Sequence, residues 1–205
     1  RERKMYENAA AYDKKITVPF CPESKLSGIG YTDFMNAVWY RRTFTVPADW
    51  KADRTILHFG AVDYYCEVYV NEKKVGSHAG GYTSFSFDIT DFLTGEENNL
   101  AVYAEDDNRS GRQPKGKQCG NYYSGGCDYT RTTGIWQTVW LERRPASYIK
   151  NFKVYPNPDT CSVTVEADVT YPAPGAALTL SSAYEGRDTG SVTVPVTGHT
   201  LMAHL

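Results

Sequence analysis

Hydrophobic and polar residues alternate along most of the chain from Ile16 onward, in short runs that end at turn residues. The run 84–89 is typical, because Ser or Asp alternates there with Phe or Ile. A period of two is the signature of a strand with one buried face. The alternation predicts strands at 38–46, 55–59, 64–70, 84–89, 100–104, 139–142, 149–155, 162–169, 178–182 and 191–196. Short strands at this spacing predict an all-β protein built from sandwiches.

The same pattern divides the chain into three parts. Residues 1–15, which include Ala9-Ala10-Ala11, predict a short helix or a lead-in arm. Residues 16–145 predict a β-sandwich of jelly-roll type, similar to galactose-binding domains, that closes at Arg143-Arg144-Pro145. The spacing of predicted strands and turns in residues 147–205 is typical of an immunoglobulin-like β-sandwich, which normally needs about 100 residues. We therefore expect this second sandwich to be truncated.

The longest stretch without a predicted strand runs from Asp106 to Gly134. Loops of this length are uncommon and often functional. The alternative is a disordered surface insertion, but the loop contains Tyr122, Tyr123 and Tyr129 rather than the Ser and Glu that are typical of disorder. We expect a functional loop.

Composition and charge narrow the classes of partner. Lys and Arg number 22 against 24 Asp and Glu, with no basic stripe, so nucleic acid is not an expected partner. No apolar run approaches the ~20 residues that span a bilayer, so no membrane segment is expected. Aromatic residues at 14% favour a carbohydrate partner, because aromatic faces stack on sugar rings, although β-sandwiches themselves also favour aromatics.

The compartment stays open at this stage. The chain opens Arg1-Glu2-Arg3-Lys4 with no apolar stretch behind it, so no signal peptide is evident. Either the protein is cytoplasmic, or it is periplasmic or secreted and its leader has been removed.

The sequence offers no motif for a metal, a cofactor or covalent catalysis. The five Cys and four His show no C-x-x-C pair and no ligand spacing, so we expect no metal site. Nucleophile-elbow, phosphate-loop and dinucleotide-binding motifs are missing from the sequence, so we expect no cofactor and no catalytic residue. Cys119 and Cys127 bracket a Gly- and Tyr-rich segment and are either free thiols or, in an oxidising compartment, a disulfide.

Five segments in a fixed order resemble a known family. They are WYRRTF at 39–44, FGAVD at 59–63, Val70-Asn71, GSHAGGYTSFSFDIT at 76–90 and DYTRTTGIWQTVWLE at 128–142. Their order and spacing, over roughly Ile16 to Pro145, resemble the sugar-binding domain of glycoside hydrolase family 2. The family includes β-galactosidases, β-glucuronidases and β-mannosidases.

The resemblance implies a non-catalytic carbohydrate-binding or scaffold region of a retaining β-glycosidase, most similar to a β-galactosidase. In that family two Glu on a following (β/α)₈ barrel of about 250 residues hydrolyse the glycosidic bond. This chain has no room for the barrel, so we expect it to be inactive alone and to act with a downstream barrel. The alternatives are a stand-alone carbohydrate-binding module and a protein-interaction sandwich.

The resemblance also implies substrate-binding positions. An acidic residue just before the Gly of the last segment can accept hydrogen bonds from sugar hydroxyls, which points to Asp128. The alternative for Asp128 is a loop-fixing salt bridge with Arg131. Trp136, next to Gly134, is the best stacking candidate, whereas Trp39 and Trp140 are expected to pack in the structure. The complete set of candidate substrate-binding residues is Asp106, Asp107, Asp128, Arg131 and Trp136.

Two details carry further expectations. Asp106 and Asp107 are adjacent like charges at the mouth of the loop, so at least one should be solvated or paired with Arg. Glu72-Lys73 stands where the family's hairpin usually has Asn-Gly, so we expect a less tight turn there.

Overall fold

The computed structural model describes residues 5–7, 11–50 and 53–205 and divides into two compact units, Arg1–Arg143 and Arg144–Leu205. The predicted all-β class is confirmed: the described residues form fourteen strands and a few single turns of 3₁₀-helix. The predicted lead-in at 1–15 falls partly outside the description, since residues 1–4 and 8–10 are not described. Met5–Glu7 forms a 3₁₀ turn. No described helix is long and apolar enough to cross a bilayer.

The first unit is a sandwich of two antiparallel sheets. A four-stranded sheet has the order β1-β7-β4-β5, a three-stranded sheet has the order β6-β2-β9, and β3 pairs with β8. The strands are β1 (Ala37–Thr45), β2 (Arg54–Phe59), β3 (Val62–Asp63), β4 (Tyr65–Val70), β5 (Lys73–Ala79), β6 (Phe85–Asp88), β7 (Glu97–Glu105), β8 (Gly134–Ile135) and β9 (Val139–Arg144).

One apolar core joins the two sheets. The alternation places Val68 and Val102 of the four-stranded sheet against Leu57 and Phe59 of the three-stranded sheet, all at most 3% exposed. Val139 and Leu141 of β9 pack against the same core. Burying a Val, Leu or Phe side chain contributes about 1.5–3 kcal/mol, so this shared core holds the sandwich together.

The β4–β5 hairpin is tighter than the sequence predicted. Val70 pairs with Lys73, so the loop has only two residues, Asn71 and Glu72. Both have positive φ, 48° and 66°, as a two-residue turn of type I′ requires. The expectation of a looser turn was wrong, because Glu72 adopts the positive φ of the position where Gly is usual. The side-chain amide of Asn71 donates hydrogen bonds to Phe92 O and Asn98 Oδ1.

The second unit consists of five strands, and its assignment to an immunoglobulin-like sandwich stays a prediction. Strands β10 (Tyr148–Asn157), β11 (Ser162–Thr170) and β14 (Thr200–His204) form one sheet in the order β10-β11-β14. Strands β12 (Ala177–Tyr184) and β13 (Arg187–Pro195) form a separate hairpin. The buried face of β11 carries Val165, Ala167 and Val169, as its alternation predicts.

Candidate functional site

The segment between β7 and β8, residues 106–133, is the longest connection in the first unit and is called the long loop here. It folds back on itself through a parallel bridge between Gln118 and Tyr129. The Cys119 N–H donates to Tyr129 O at 2.7 Å, and the Tyr129 N–H donates to Lys117 O at 2.7 Å. These bonds close the far half of the loop into a defined turn that contains Asp128.

Arg131 fixes this loop from inside. The residue is 3% exposed, and its guanidinium donates to the backbone carbonyls of Asn121, at 2.6 Å, and Thr32. Its guanidinium carbon lies 4.2 Å from the ring centroid of Phe34. Among the described ion pairs none joins Arg131 to Asp128. Arg131 therefore satisfies loop carbonyls that would otherwise be buried without a donor.

The end of the loop needs glycine at position 134. Gly134 has φ +75°, and a Cβ built there would lie 2.3 Å from the Tyr40 hydroxyl. That hydroxyl in turn accepts a hydrogen bond from the Ile135 N–H at 3.2 Å. Both the backbone conformation and the close approach exclude a side chain, which explains the Gly of the motif.

Three buried carboxyl groups anchor the base of the long loop. Gln118 Nε2 donates to Asp63 Oδ2 at 2.6 Å, while Gln118 Oε1 accepts from the Thr132 N–H at 2.7 Å. Gln113 Nε2 donates to Asp106 Oδ1 at 2.5 Å. The Thr133 N–H donates to Glu23 Oε2 at 3.2 Å. The second oxygen of each carboxyl group, on Glu23, Asp63 and Asp106, is buried and has no hydrogen-bond partner among the described residues.

The three carboxyl groups resist ionisation. Burial raises the pKa of Asp63 to about 6, against the bond from Gln118 and with a smaller contribution from Glu23. Burial, followed by the charge of Asp63, raises the pKa of Asp106 to about 7. Burial also raises the pKa of Glu23. The cluster therefore holds protons that ordinary carboxyl groups would lose near neutrality.

Asp128 lies on the outer side of the loop. It is half-buried, its N–H donates to Gly125 O at 3.2 Å, and the nearest polar contact of its carboxylate is the Cys127 thiol, 3.9 Å from Oδ1. Three exposed aromatic side chains belong to the same loop, with Tyr123 83% exposed: Tyr122, Tyr123 and Tyr129. The loop thus carries three open aromatic rings and a carboxylate to which the described residues supply one weak donor, the Cys127 thiol.

Trp136 and Tyr82 connect the three-stranded sheet to the loop. The Trp136 indole N–H donates to Gly81 O at 2.8 Å, and the ring meets Tyr82 edge to face at 5.9 Å. The Tyr82 hydroxyl donates to Lys115 O in the long loop at 3.2 Å. Trp136 is therefore a fixed, half-buried wall beside the loop.

The five predicted site residues differ in how deeply they are buried. Asp106 and Arg131, each 3% exposed, lie in the interior of the loop, where their visible contacts are with protein groups. Asp107 and Asp128 are half-buried, and Trp136 lines the neighbouring wall. Sequence reasoning missed Glu23 and Gln118, because each is joined to a partner far along the chain.

No group of three or more His, Cys, Asp or Glu side chains within the described ranges is arranged to hold a metal ion. All five cysteines are free, including Cys119, which is buried, and Cys127, which is exposed. A groove of about 940 Å³ lies between the open edges of β1 and β9, lined mainly by apolar residues such as Val38, Leu57 and Val139. Its lining also includes charged side chains, among them Asp13, Lys14 and Arg41.

Comparison with known proteins places the first unit in a family. Residues 7–145 match the family described as glycosyl hydrolases family 2, sugar binding domain. The chain is 34% identical over 121 residues to a β-galactosidase of Thermoanaerobacter pseudethanolicus, covering 58% of this chain and 15% of that protein. It is 32% identical over 103 residues to a β-glucuronidase of Paenibacillus borealis, covering 50% of this chain and 17% of that protein.

The fold agrees with this match. The crystal structure of Bacteroides uniformis β-glucuronidase superposes with a TM-score of 0.68 and 26% identity, covering 96% of this chain and 25% of that one. The chain thus spans a quarter or less of the length of each of these three relatives. Since the family match covers more than half of the chain, the protein belongs to glycosyl hydrolase family 2, and residues 7–145 are a sugar-binding domain of that family.

Proposed function

We propose that this chain is the non-catalytic, carbohydrate-facing region of a longer retaining β-glycosidase of β-galactosidase-like type, which acts together with a downstream barrel domain. The observation that supports it is the presentation of Asp128 by the long loop. Its carboxylate has unused acceptor capacity, while Arg131, Gln113 and Gln118 hold the loop beneath it.

The chemistry suits a sugar hydroxyl. An ionised carboxylate is an acceptor with two oxygens, and its hydrogen bonds are stronger than those of neutral acceptors. In this proposal Asp128 accepts from hydroxyls of the glycoside at the edge of the substrate pocket, and the exposed tyrosines pack beside it. Asp107, half-exposed at the other end of the loop, borders the same edge.

The remaining candidates act on the loop rather than on the sugar. Arg131 and Asp106 are positioning residues, because both are buried and bonded to loop groups. Trp136 supports the loop through Tyr82. Hydrolysis itself belongs to the barrel in this proposal, so the isolated chain has no hydrolytic activity and binds galactose weakly, with Kd in the millimolar range, on the order of −4 kcal/mol.

The test is Asp128→Asn in the full-length protein. Losing one charged hydrogen bond costs about 1.5–3 kcal/mol, so kcat/KM for a nitrophenyl β-galactoside should fall roughly ten- to a hundred-fold with an unchanged Tm. Asp159→Asn, at an exposed Asp in the β10–β11 turn, is the matched control and should change neither quantity. Unchanged kinetics with a lowered Tm would show that Asp128 only fixes its loop.

Reading the gene beyond Leu205 tests the larger claim independently. A following barrel with two Glu in place for hydrolysis supports the proposal. A stop codon there refutes it in favour of a stand-alone carbohydrate-binding module, and micromolar binding of galactose by the isolated chain would point the same way.

A further inference from the structure

A shallow depression lies at one end of the three-stranded sheet, where the chain leaves β2 and enters β6 and β9. Its volume is about 480 Å³, and its lining includes Gly60, Ser84, Trp136, Gln137, Thr138 and Trp140. Ligand clefts of small molecules span about 300–1,000 Å³. The proposed function above makes no use of this depression, whose lining includes neither Asp128 nor the loop tyrosines.

Trp140 supplies an aromatic surface that is both open and fixed. The residue is 44% exposed, although Val139 and Leu141 on either side pack against the core. The His58 ring stacks on the indole at 4.8 Å between centroids and 5° between planes. His58 is itself held by Glu142, whose Oε2 lies 2.7 Å from Nε2. Because His58 covers one face, the open face is available to a ligand in the depression.

Gln137 supplies a hydrogen-bonding group at a defined place. Its side chain lies directly over Gly60, where a Cβ would come within 2.7 Å of Gln137 Cβ and 2.9 Å of Oε1. Glycine at position 60 is thus a condition for this placement. The Gln137 amide makes no hydrogen bond to any other residue that the structure describes, so it offers a donor and an acceptor together. The hydroxyls of Ser84 and Thr138 lie on the same lining.

The charges around the depression select for a neutral ligand. Its described lining includes neither Lys nor Arg, and the nearest named charge is Glu142 behind His58. Binding an anion there would cost desolvation without a counter-charge. A pyranose matches what is present, because its apolar C–H face can stack on the indole while vicinal hydroxyls exchange hydrogen bonds with a primary amide.

We propose that this depression is a second carbohydrate site, which binds one neutral pyranose unit of an oligosaccharide against Trp140 and Gln137. Its lining does not include Asp128 of the long loop. The walls are rigid, since Trp136 is fixed by Gly81 O and Trp140 by His58. Such a site would hold a polysaccharide chain near the protein without taking part in cleavage.

The test is an NMR titration of the 205-residue chain with cellobiose, following the indole N–H of Trp140 and the side-chain amide of Gln137. We expect saturable shifts at both groups with Kd of about 1–10 mM. Trp140→Ala and Gln137→Ala should each weaken binding, the first by at least about tenfold, which corresponds to about 1.4 kcal/mol. Trp140→Phe should retain part of the affinity, which separates loss of stacking from loss of folding.

Three controls locate the site. Tyr155→Ala removes an aromatic side chain of matched exposure, 47%, from the second unit and should leave cellobiose binding unchanged. Asp128→Asn should also leave it unchanged, so failure of the loop proposal and failure of this one are distinguishable. Glucuronate should bind more weakly than a neutral sugar. Shifts confined to the long loop, binding indifferent to Trp140→Ala, or no shift at about 50 mM cellobiose would each overturn the proposal.

Discussion

The outer face of the four-stranded sheet and the base of the long loop both bury acidic side chains, but they surround them differently. On β4, Glu67 accepts hydrogen bonds from the hydroxyls of Tyr69 at 2.6 Å and Tyr65 at 2.8 Å and from Lys74 Nζ at 2.9 Å. At the loop base, Asp106 accepts from Gln113 alone and keeps one oxygen without a partner.

The two surroundings shift the pKa in opposite directions. Burial alone would raise the pKa of Glu67, but the donors Tyr69, Lys74 and Tyr65 together outweigh it and lower the pKa to about 2. Burial raises the pKa of Asp106 to about 7, and the neighbouring Asp63 adds to it. Burial and the number of donors together therefore decide whether each of these carboxyl groups is ionised.

The difference follows from local geometry. Tyr65, Glu67 and Tyr69 are two residues apart on one strand, so their side chains share a face, and β5 places Lys74 beside them. A loop has no such periodicity, and its carboxyl groups must recruit amides from distant residues. We expect ionisation of Glu67 on the sheet face to stabilise the folded state. We expect ionisation of the carboxyl groups at the loop base to destabilise it.

The largest expected effect comes from removing the acceptor on the sheet. Glu67→Ala leaves two tyrosine hydroxyls and the Lys74 ammonium without their partner, and we expect it to lower the free energy of unfolding by about 3 kcal/mol. Denaturant unfolding of the chain measures this. Glu105→Ala is the control, because Glu105 is exposed and accepts from one hydroxyl, that of Tyr103, at 2.8 Å. Equal losses for both variants would contradict the proposed role of the three donors.

The same contrast explains what the sequence could and could not reveal. Strands such as β4 and β6 were predictable because alternation is a local property. The loop anchors were not, because Gln118 and its partner Asp63 are 55 positions apart, and Thr133 and Glu23 are 110 apart. The hairpin turn was mispredicted for a different reason: the strand pairing imposes left-handed conformations on Asn71 and Glu72, against the preference of Glu.

For the candidate site, too, local features were predictable and contacts between distant residues were not. Asp128 could be selected from residue type and the family resemblance, and its role in substrate binding stays a prediction. The sequence placed Arg131 beside Asp128 because the two are neighbours along the chain. In the fold Arg131 turns inward, since a buried loop carries carbonyl oxygens that need a donor.

An effect of intermediate size is expected at the loop base, where the free energy of unfolding should depend on pH. Because the folded-state pKa values of Asp63 and Asp106 lie above the ordinary 3.8, the folded state binds more protons than the unfolded state between these values. Their contribution to stability is therefore greatest below about pH 4 and is lost as the pH rises to about 7. Calorimetric Tm values across this range should show the decline after correction for the other groups.

Asp106→Asn isolates that contribution, since Asn resembles the protonated acid in shape and lacks the charge. The variant should be more stable than the parent by on the order of 1–2 kcal/mol at about pH 8 and differ little at about pH 4. Asp91→Asn, at an exposed carboxylate near Arg54, is the control and should not flatten the pH profile. A profile that Asp106→Asn leaves unchanged would mean that the loop carboxyl groups are ionised at no cost.

The smallest expected effect tests the sheet donors one at a time. Tyr69→Phe removes the shortest of the three bonds to Glu67 but keeps the ring that stacks on Tyr6 at 4.4 Å. We expect a loss of about 1 kcal/mol and a rise in the pKa of Glu67, so that the stability this carboxylate loses on acidification is smaller than in the parent and its loss is complete at a higher pH. A carbon-detected NMR titration of the Glu67 carboxyl group measures the pKa directly. Tyr103→Phe is the control, because the Tyr103 hydroxyl donates to Glu105, and it should leave the pKa of Glu67 unchanged. If both variants move it equally, long-range packing rather than the count of donors sets the charge state of the sheet carboxylate.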